Sequence, residues 1–243
     1  MGALSINSAP IDHAPNVASV ICQKCRKRSV NQSVYELSLR LIELISRGLR
    51  QRPNEGVGEV LKRLSEQTLN EDRFCPLQPA SLPVLRHLPE CTARAILVDA
   101  AIAAALAAIE EHLAWRRSPG YSDELLGAGF LDNYGWCELI GSQGFFKGDD
   151  FRLGLLMLGP HRHYKDHFHP APELYWLLTG PSEWKRGAGG FETREAGTTI
   201  WHPPLRIHAT KTIDQPLLAV WAWTCDTTTP AKILEATYND RSD

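Results

Sequence analysis

Within nine residues, His167-Phe168-His169-Pro170-Ala171-Pro172-Glu173-Leu174-Tyr175, the chain places two imidazoles, a carboxylate and a phenol, and a further imidazole, His208, follows the Pro203-Pro204 turn. Read as one extended strand, residues 167, 169, 173 and 175 share parity and point to one face. Three neutral imidazoles and one carboxylate, His167, His169, His208 and Glu173, make an N3O ligand set for one divalent metal ion, with one or two positions left for water or substrate. Zn, Fe, Mn, Co and Ni all suit that set, and the sequence does not choose among them. A closed structural site would draw on cysteine, and none stands close to these residues, so the pattern points to catalysis.

The elements that must position these groups fall into two textures. Residues 1–32 are polar and irregular and read as a leader. From Ser33 the pattern turns helical: Ser33 can cap with Glu36 three residues on, and Val34, Leu37, Leu41, Leu44 and Ile45 recur on one face until Gly48 and Pro53 interrupt. A second helix is expected over about 58–69, a proline-rich connector over 74–90, and a long helix over about 92–117 with Ile102, Leu106, Ile109 and Leu113 as its apolar stripe. From about Tyr134 short apolar runs alternate with glycine and proline turns; 151–158, 173–178, 198–201 and 217–224 are the clearest strands. The expected architecture is α+β: a leader over 1–32, a helical region over 33–130, a β-sandwich or barrel carrying the metal site over 131–230, and a tail over 231–243.

Bulk properties narrow the function classes. The 243 residues are 43% hydrophobic and 22% charged, enough to bury a core without disulfides, and a net charge of -2 supplies no basic field for a nucleic acid. A small or zwitterionic ligand fits better. Residues 1–16 lack the pattern of a secretory signal, so the cytoplasm is the expected location. The stretch 95–109 carries Asp99 and is shorter than the roughly 20 apolar residues a bilayer requires, so it reads as a buried helix. The six cysteines (22, 25, 75, 91, 137 and 225) are expected to be free thiols. Cys22-x-x-Cys25 is half of a zinc knuckle with no second half, and the adjoining Lys24, Arg26, Lys27 and Arg28 read as a solvated basic patch.

From its histidines onward, His167-x-His169-x3-Glu173-x6-Gly180 resembles the first cupin motif, and Gly197-x5-Pro203-x4-His208 resembles the second. Two motifs in the right order and spacing are specific where a lone HxH is not. The chain departs from the pattern at His161, where the first motif has glycine, and at Leu205, where the second does. Within cupins the string Tyr164, His167, His169, Glu173, Tyr175 and distant His208 resembles bacterial dimethylsulfoniopropionate (DMSP) lyases, as does a helical half ahead of a C-terminal barrel. The likeness covers residues 130–228 well and the helical half in outline.

That resemblance implies a C-terminal cupin barrel and a metal-dependent β-elimination giving dimethyl sulfide and acrylate. The metal would act as a Lewis acid on the substrate carboxylate, without redox change. Tyr175, at same-face spacing after Glu173, is the first candidate for the base, and Tyr164 the second, or a donor that positions the carboxylate. An unperturbed phenol titrates near pH 10, so about three units must be removed, which an adjacent dication can supply. A sulfonium offers no hydrogen-bond donor and is held by aromatic faces, for which Trp221, Trp223, Trp201 and Tyr134 are the candidates, with Trp136 beside them. Trp176, on the opposite face, is expected in the core. His161, His163 and His202 read as residues at the rim or behind the ligands, and Lys165 and Asp166 as solvated charges. The N3O site equally permits a dioxygenase or isomerase, and a non-catalytic metal-binding sensor whose helical half binds a partner. A homodimer stays open.

Overall fold

The structure is a computed structural model that describes the backbone of residues 17–234 and the side chains of residues 32–234. The chain divides into two compact units, 1–33 and 34–243. Helix α1 (Val17–Arg50) starts sixteen residues before the expected Ser33, so residues 17–32 of the expected leader are helical. Residues 1–16, and the side chains of Cys22, Cys25 and the adjoining basic residues, lie outside the described residues. Helix α2 (Val57–Ser65) turns Val57, Val60 and Leu64 inward.

Helix α3 (Leu88–Ile109) differs most from expectation. It ends at Ile109, followed by a 3-10 turn over Glu110–His112, and Leu113 is extended. Residues 114 and 116 form isolated bridges to Ala80 and Trp136, so the predicted last turns of this helix serve as sheet-like connection instead. Asp99 breaks the helical dihedrals (φ -159°), and its Oδ1 accepts from the amides of Ala101 and Ile102, capping the second half of the element. By length and composition the helical run 83–112 is apolar enough to cross a membrane. Ile102, Leu106 and Ile109 are buried, whereas Ile96 and Leu97 are exposed, so the element is one-sided rather than wholly interior.

Ten strands follow among the described residues. One sheet has the order β1 (Tyr134–Ile140), β2 (Arg152–Leu158), β9 (Leu217–Trp223), β4 (Glu173–Leu177), β7 (Thr199–His202). The other has β10 (Lys232–Ile233), β3 (His163–Phe168), β8 (His208–Thr212), β5 (Ser182–Arg186), β6 (Glu192–Arg194). Every pairing is antiparallel. Residues 232–233, placed in the tail by the sequence reading, thus close an edge of the second sheet.

Strict alternation in the first sheet builds two cores. On β9, Leu217, Ala219, Trp221 and Trp223 share a cluster with Tyr164, Tyr175 and Trp184 inside the barrel, while Leu218, Val220 and Ala222 join residues of α1, α2 and α3 outside it. Both faces are covered, which is why β9 reads as a continuous apolar run. On the outer face Arg52 lies over the Trp176 ring at 4.4 Å, and a Cβ at Gly48 would collide with that indole.

Candidate metal centre and its cavity

The segment 167–175 is not one strand. His167 is the penultimate residue of β3 in one sheet, Glu173 opens β4 in the facing sheet, and the chain turns the corner through His169–Pro172. The shared face inferred from parity therefore arises differently: two layers of a barrel present their inner faces to each other. His208 is brought in by direct pairing with His167 across β8 and β3. Across β4, Glu173 is flanked by His202 of β7 and Trp223 of β9.

One nitrogen from each of His167, His169 and His208 lies within 4.8 Å of the others, and all three rings are buried. Their Nδ1 atoms sit 2.8 Å from the carbonyls of Lys165, Ala171 and Arg206 respectively. A carbonyl only accepts, so each Nδ1 carries the proton and each Nε2 presents a lone pair inward. Glu173 Oε2 lies 3.1 Å from His169 Nε2 and 3.3 Å from His208 Nε2, and His208 Nε2 has no hydrogen-bond partner. Acceptors face acceptors in a buried space, an arrangement that a cation resolves. The donor set and the orientation of the rings thus fit the divalent ion expected from the sequence.

Electrostatics agree. Burial, with His208 beside it, holds His167 well below the ordinary imidazole range and therefore neutral. Burial alone would raise Glu173, but the neighbouring His169 and His208 imidazoles outweigh it and hold the carboxyl well below its ordinary range, so it stays ionised. Its other oxygen, Oε1, accepts from Trp223 Nε1 at 2.8 Å.

His167, His169 and Glu173 open on a cavity of about 790 Å³ lined also by Tyr121, Tyr134, Trp136, Arg152, Tyr164, Tyr175, Trp221 and Trp223. Tyr164 stacks on His167 at 4.0 Å between centroids and shares a 2.7 Å hydrogen bond with the Tyr121 hydroxyl. Tyr175 lies beside Glu173, with Trp184 at 4.9 Å on its other side. Burial pushes both phenols well above the usual range; for Tyr164 the neighbouring Tyr121 and Tyr134 add to it, for Tyr175 the Glu173 charge does. The shift needed for a base at neutral pH is accordingly larger than the three units inferred from an unperturbed phenol.

Of the aromatic candidates, Tyr134, Trp221 and Trp223 line the cavity and Trp201 does not. Trp201 sits on the outer face of β7 in the core shared with the helices, where a Cβ on Gly56 would strike its ring. Trp176 lies in that same outer core. His202, read as a residue at the rim or behind the ligands, is fully buried and stacked on His208 at 4.0 Å, with neither ring nitrogen hydrogen bonded. His161 is exposed, and His163 packs on Phe191 away from the triad. Lys165 is not a solvated charge: its Nζ donates to the Leu125 carbonyl at 2.7 Å, and Asp166 pairs with Lys185. Tyr121 and Arg152 are among the cavity residues that the sequence did not single out. Tyr121 comes from the loop after α3, outside any periodic element, and Arg152 is a single charge at the start of a strand.

Two five-stranded antiparallel sheets closing over three histidines and a glutamate define a cupin-type barrel preceded by helices. The family model for dimethylsulfoniopropionate lyase matches residues 54–219, and the chain belongs to that family. It is 31% identical over 156 residues to dimethylsulfoniopropionate lyase DddQ of Ruegeria pomeroyi, covering 62% of this chain and 74% of that protein. The crystal structure of DddQ from Ruegeria pomeroyi DSS-3 superposes with a TM-score of 0.61 at 25% identity, over 82% of this chain and 96% of that one. A structure described with the DMSP lyases RdDddP and RnDddQII shares the fold with a TM-score of 0.66 at 24% identity, over 84% of this chain and all of that one.

Proposed function

We propose that this member of the family cleaves dimethylsulfoniopropionate by β-elimination to dimethyl sulfide and acrylate, with His167, His169, Glu173 and His208 as the ligands of one divalent ion. The observation that carries the reading is the set of inward-facing Nε2 lone pairs and a buried carboxylate at the floor of an aromatic cavity. Once bound there, a divalent ion supplies Lewis-acid stabilisation for charge that develops on the substrate carboxylate.

The chain's own residues do the rest. Tyr175 is the first choice for the base that removes the proton next to the carboxylate, because its hydroxyl lies beside Glu173 in the cavity wall. Tyr164 stacks on His167 and is itself fixed by Tyr121, which suits a residue that positions the substrate. Trp136, Trp221 and Trp223 close the wall against water. The neutral sulfide leaves from the β-carbon and needs no proton. Cys75, Cys91, Cys137 and Cys225 are free thiols, which suits a cytoplasmic enzyme.

The test is headspace detection of dimethyl sulfide from purified protein and substrate, loaded in turn with Zn, Fe, Mn, Co and Ni. Tyr175→Phe is expected to lower kcat by about 10²–10⁴-fold, and His208→Ala to abolish turnover and ion binding together. No sulfide with any of the metals would remove the lyase reading. Full activity in Tyr175→Phe would reassign the base to Tyr164.

A further inference from the structure

Three indoles around one point form a receptor for a cation without hydrogen-bond donors, the chemistry of a sulfonium. The cavity contains such a box, made by Trp136 of β1 and Trp221 and Trp223 of β9, and the chain fills it itself. The Arg152 guanidinium carbon lies 5.3, 5.3 and 5.0 Å from the centroids of those three rings. Arg152 is anchored there by Glu138, a fully buried carboxylate on β1: Nε donates to Oε1 at 2.5 Å and Nη2 pairs with the same oxygen. Nη1 points to the Thr227 carbonyl at 3.4 Å. Removing a guanidinium held this way would strand a buried carboxylate, so it is not a casual occupant. Trp223 is the partition between this cation and the metal centre: its ring centroid is 4.4 Å from His169 and its Nε1 donates to Glu173.

We propose that Arg152 is a specificity-determining residue that occupies the Trp136–Trp221–Trp223 box and so sets the polarity with which a zwitterion enters. A second cation cannot share three faces already committed to a guanidinium. The remaining aromatic wall is the cluster of Tyr121, Tyr134 and Tyr164, whose centroids are 5.4–5.9 Å apart and which also lines the cavity. The cationic end of the substrate is therefore turned toward the tyrosines, and its carboxylate toward the histidine triad on the Arg152 side. An open tryptophan box would instead capture the sulfonium in a non-productive orientation. The identity of the zwitterion rests on the function proposed above; the filled box does not.

The experiment uses the full chain and trimethylsulfonium chloride as probe, followed by intrinsic tryptophan fluorescence, with near-UV circular dichroism to confirm folding. Wild type and Arg152→Lys, which keep a cation in the box, are expected to show no saturable quenching. The double variant Glu138→Gln/Arg152→Met removes both charges without stranding either, and is expected to quench saturably, with an apparent affinity at least about tenfold above wild type. With the natural substrate the same variant should show kcat and KM falling together, the signature of non-productive binding, which a merely loosened fold would not produce. Saturable quenching of wild type itself, or a folded double variant that binds the probe no better than wild type, would overturn the proposal. Absence of sulfide release would remove the proposed reaction while leaving the probe titration, and the role of Arg152, standing.

Discussion

Trp223 and Trp221 are two residues apart on one strand, face one cavity and both lie near Arg152, yet only Trp223 uses its indole nitrogen. Trp223 Nε1 donates to Glu173 at 2.8 Å, whereas Trp221 Nε1 is buried without a hydrogen-bond partner. Trp223→Phe keeps an aromatic ring against His169 and deletes that single donor. A hydrogen bond to a charged, buried group contributes about 1.5–3 kcal/mol, or about 10–150-fold in an equilibrium. Loss of a residue that orients a metal ligand typically costs about 10–100-fold in affinity. We therefore expect Trp223→Phe to weaken ion binding by about 10–100-fold, measured by competition with a fluorescent chelator. Trp221→Phe removes the same indole area from the same cavity and should stay within about twofold of wild type. If both variants weaken binding equally, the effect belongs to cavity shape and the oriented-carboxylate argument is wrong. If neither does, Glu173 does not bind the ion.

Three further outcomes follow from particular contacts. Gly48→Ala should destabilise by about 1–3 kcal/mol, since its Cβ meets the Trp176 ring, while Gly58→Ala, with open space around it, should stabilise; thermal melts read both. Tyr121→Phe removes the hydroxyl bonded to Tyr164 and should lower kcat/KM by about 2–10-fold with an unchanged melting temperature; an unchanged kcat/KM would show that Tyr164 needs no such support. His167 and His202 are held well below the ordinary imidazole range by burial, with His208 adding to it. The unfolded chain takes up protons at these groups near pH 6.5 and the folded chain only well below it, so their contribution to stability is present above about pH 6.5 and lost as the pH falls. For two groups the loss between pH 7.5 and 5.5 is about 2–3 kcal/mol, measured by urea unfolding of chelator-treated protein. A flat profile would show that one or both rings are charged in the folded state.

The proposed ligands were legible as candidates because three of the four fall within seven residues, where spacing alone carries information. Their supports were not. The Nδ1 protons are fixed by backbone carbonyls two residues away, to which any side chain could have given rise. The corner at His169–Pro172 was invisible because a break between sheets preserves the parity that a single strand would show. Trp201 was misplaced for a related reason: alternation says that Trp201 and His202 face opposite ways, and only the closed barrel decides which way is in. Arg152 gave no signal, since one arginine at a strand start looks solvated until three distant indoles surround it. In the helical half the apolar stripe of α3 was readable, but the substitution of a bridge for its last turns reflects pairing with Ala80 and Trp136, long-range partners that no local period reveals.

The proposed ligands are divided between the barrel's two walls: His167 and His208 belong to one sheet, Glu173 to the other, and His169 to the bend between them. An ion held by all four is a rivet through both walls. Chelation would then free more than four side chains: the walls would breathe apart, and amide exchange would quicken in β3 and β8 ahead of the helix-backed strands β2, β4 and β9. The reagent that does the chemistry would also be the fastener that keeps its own vessel shut.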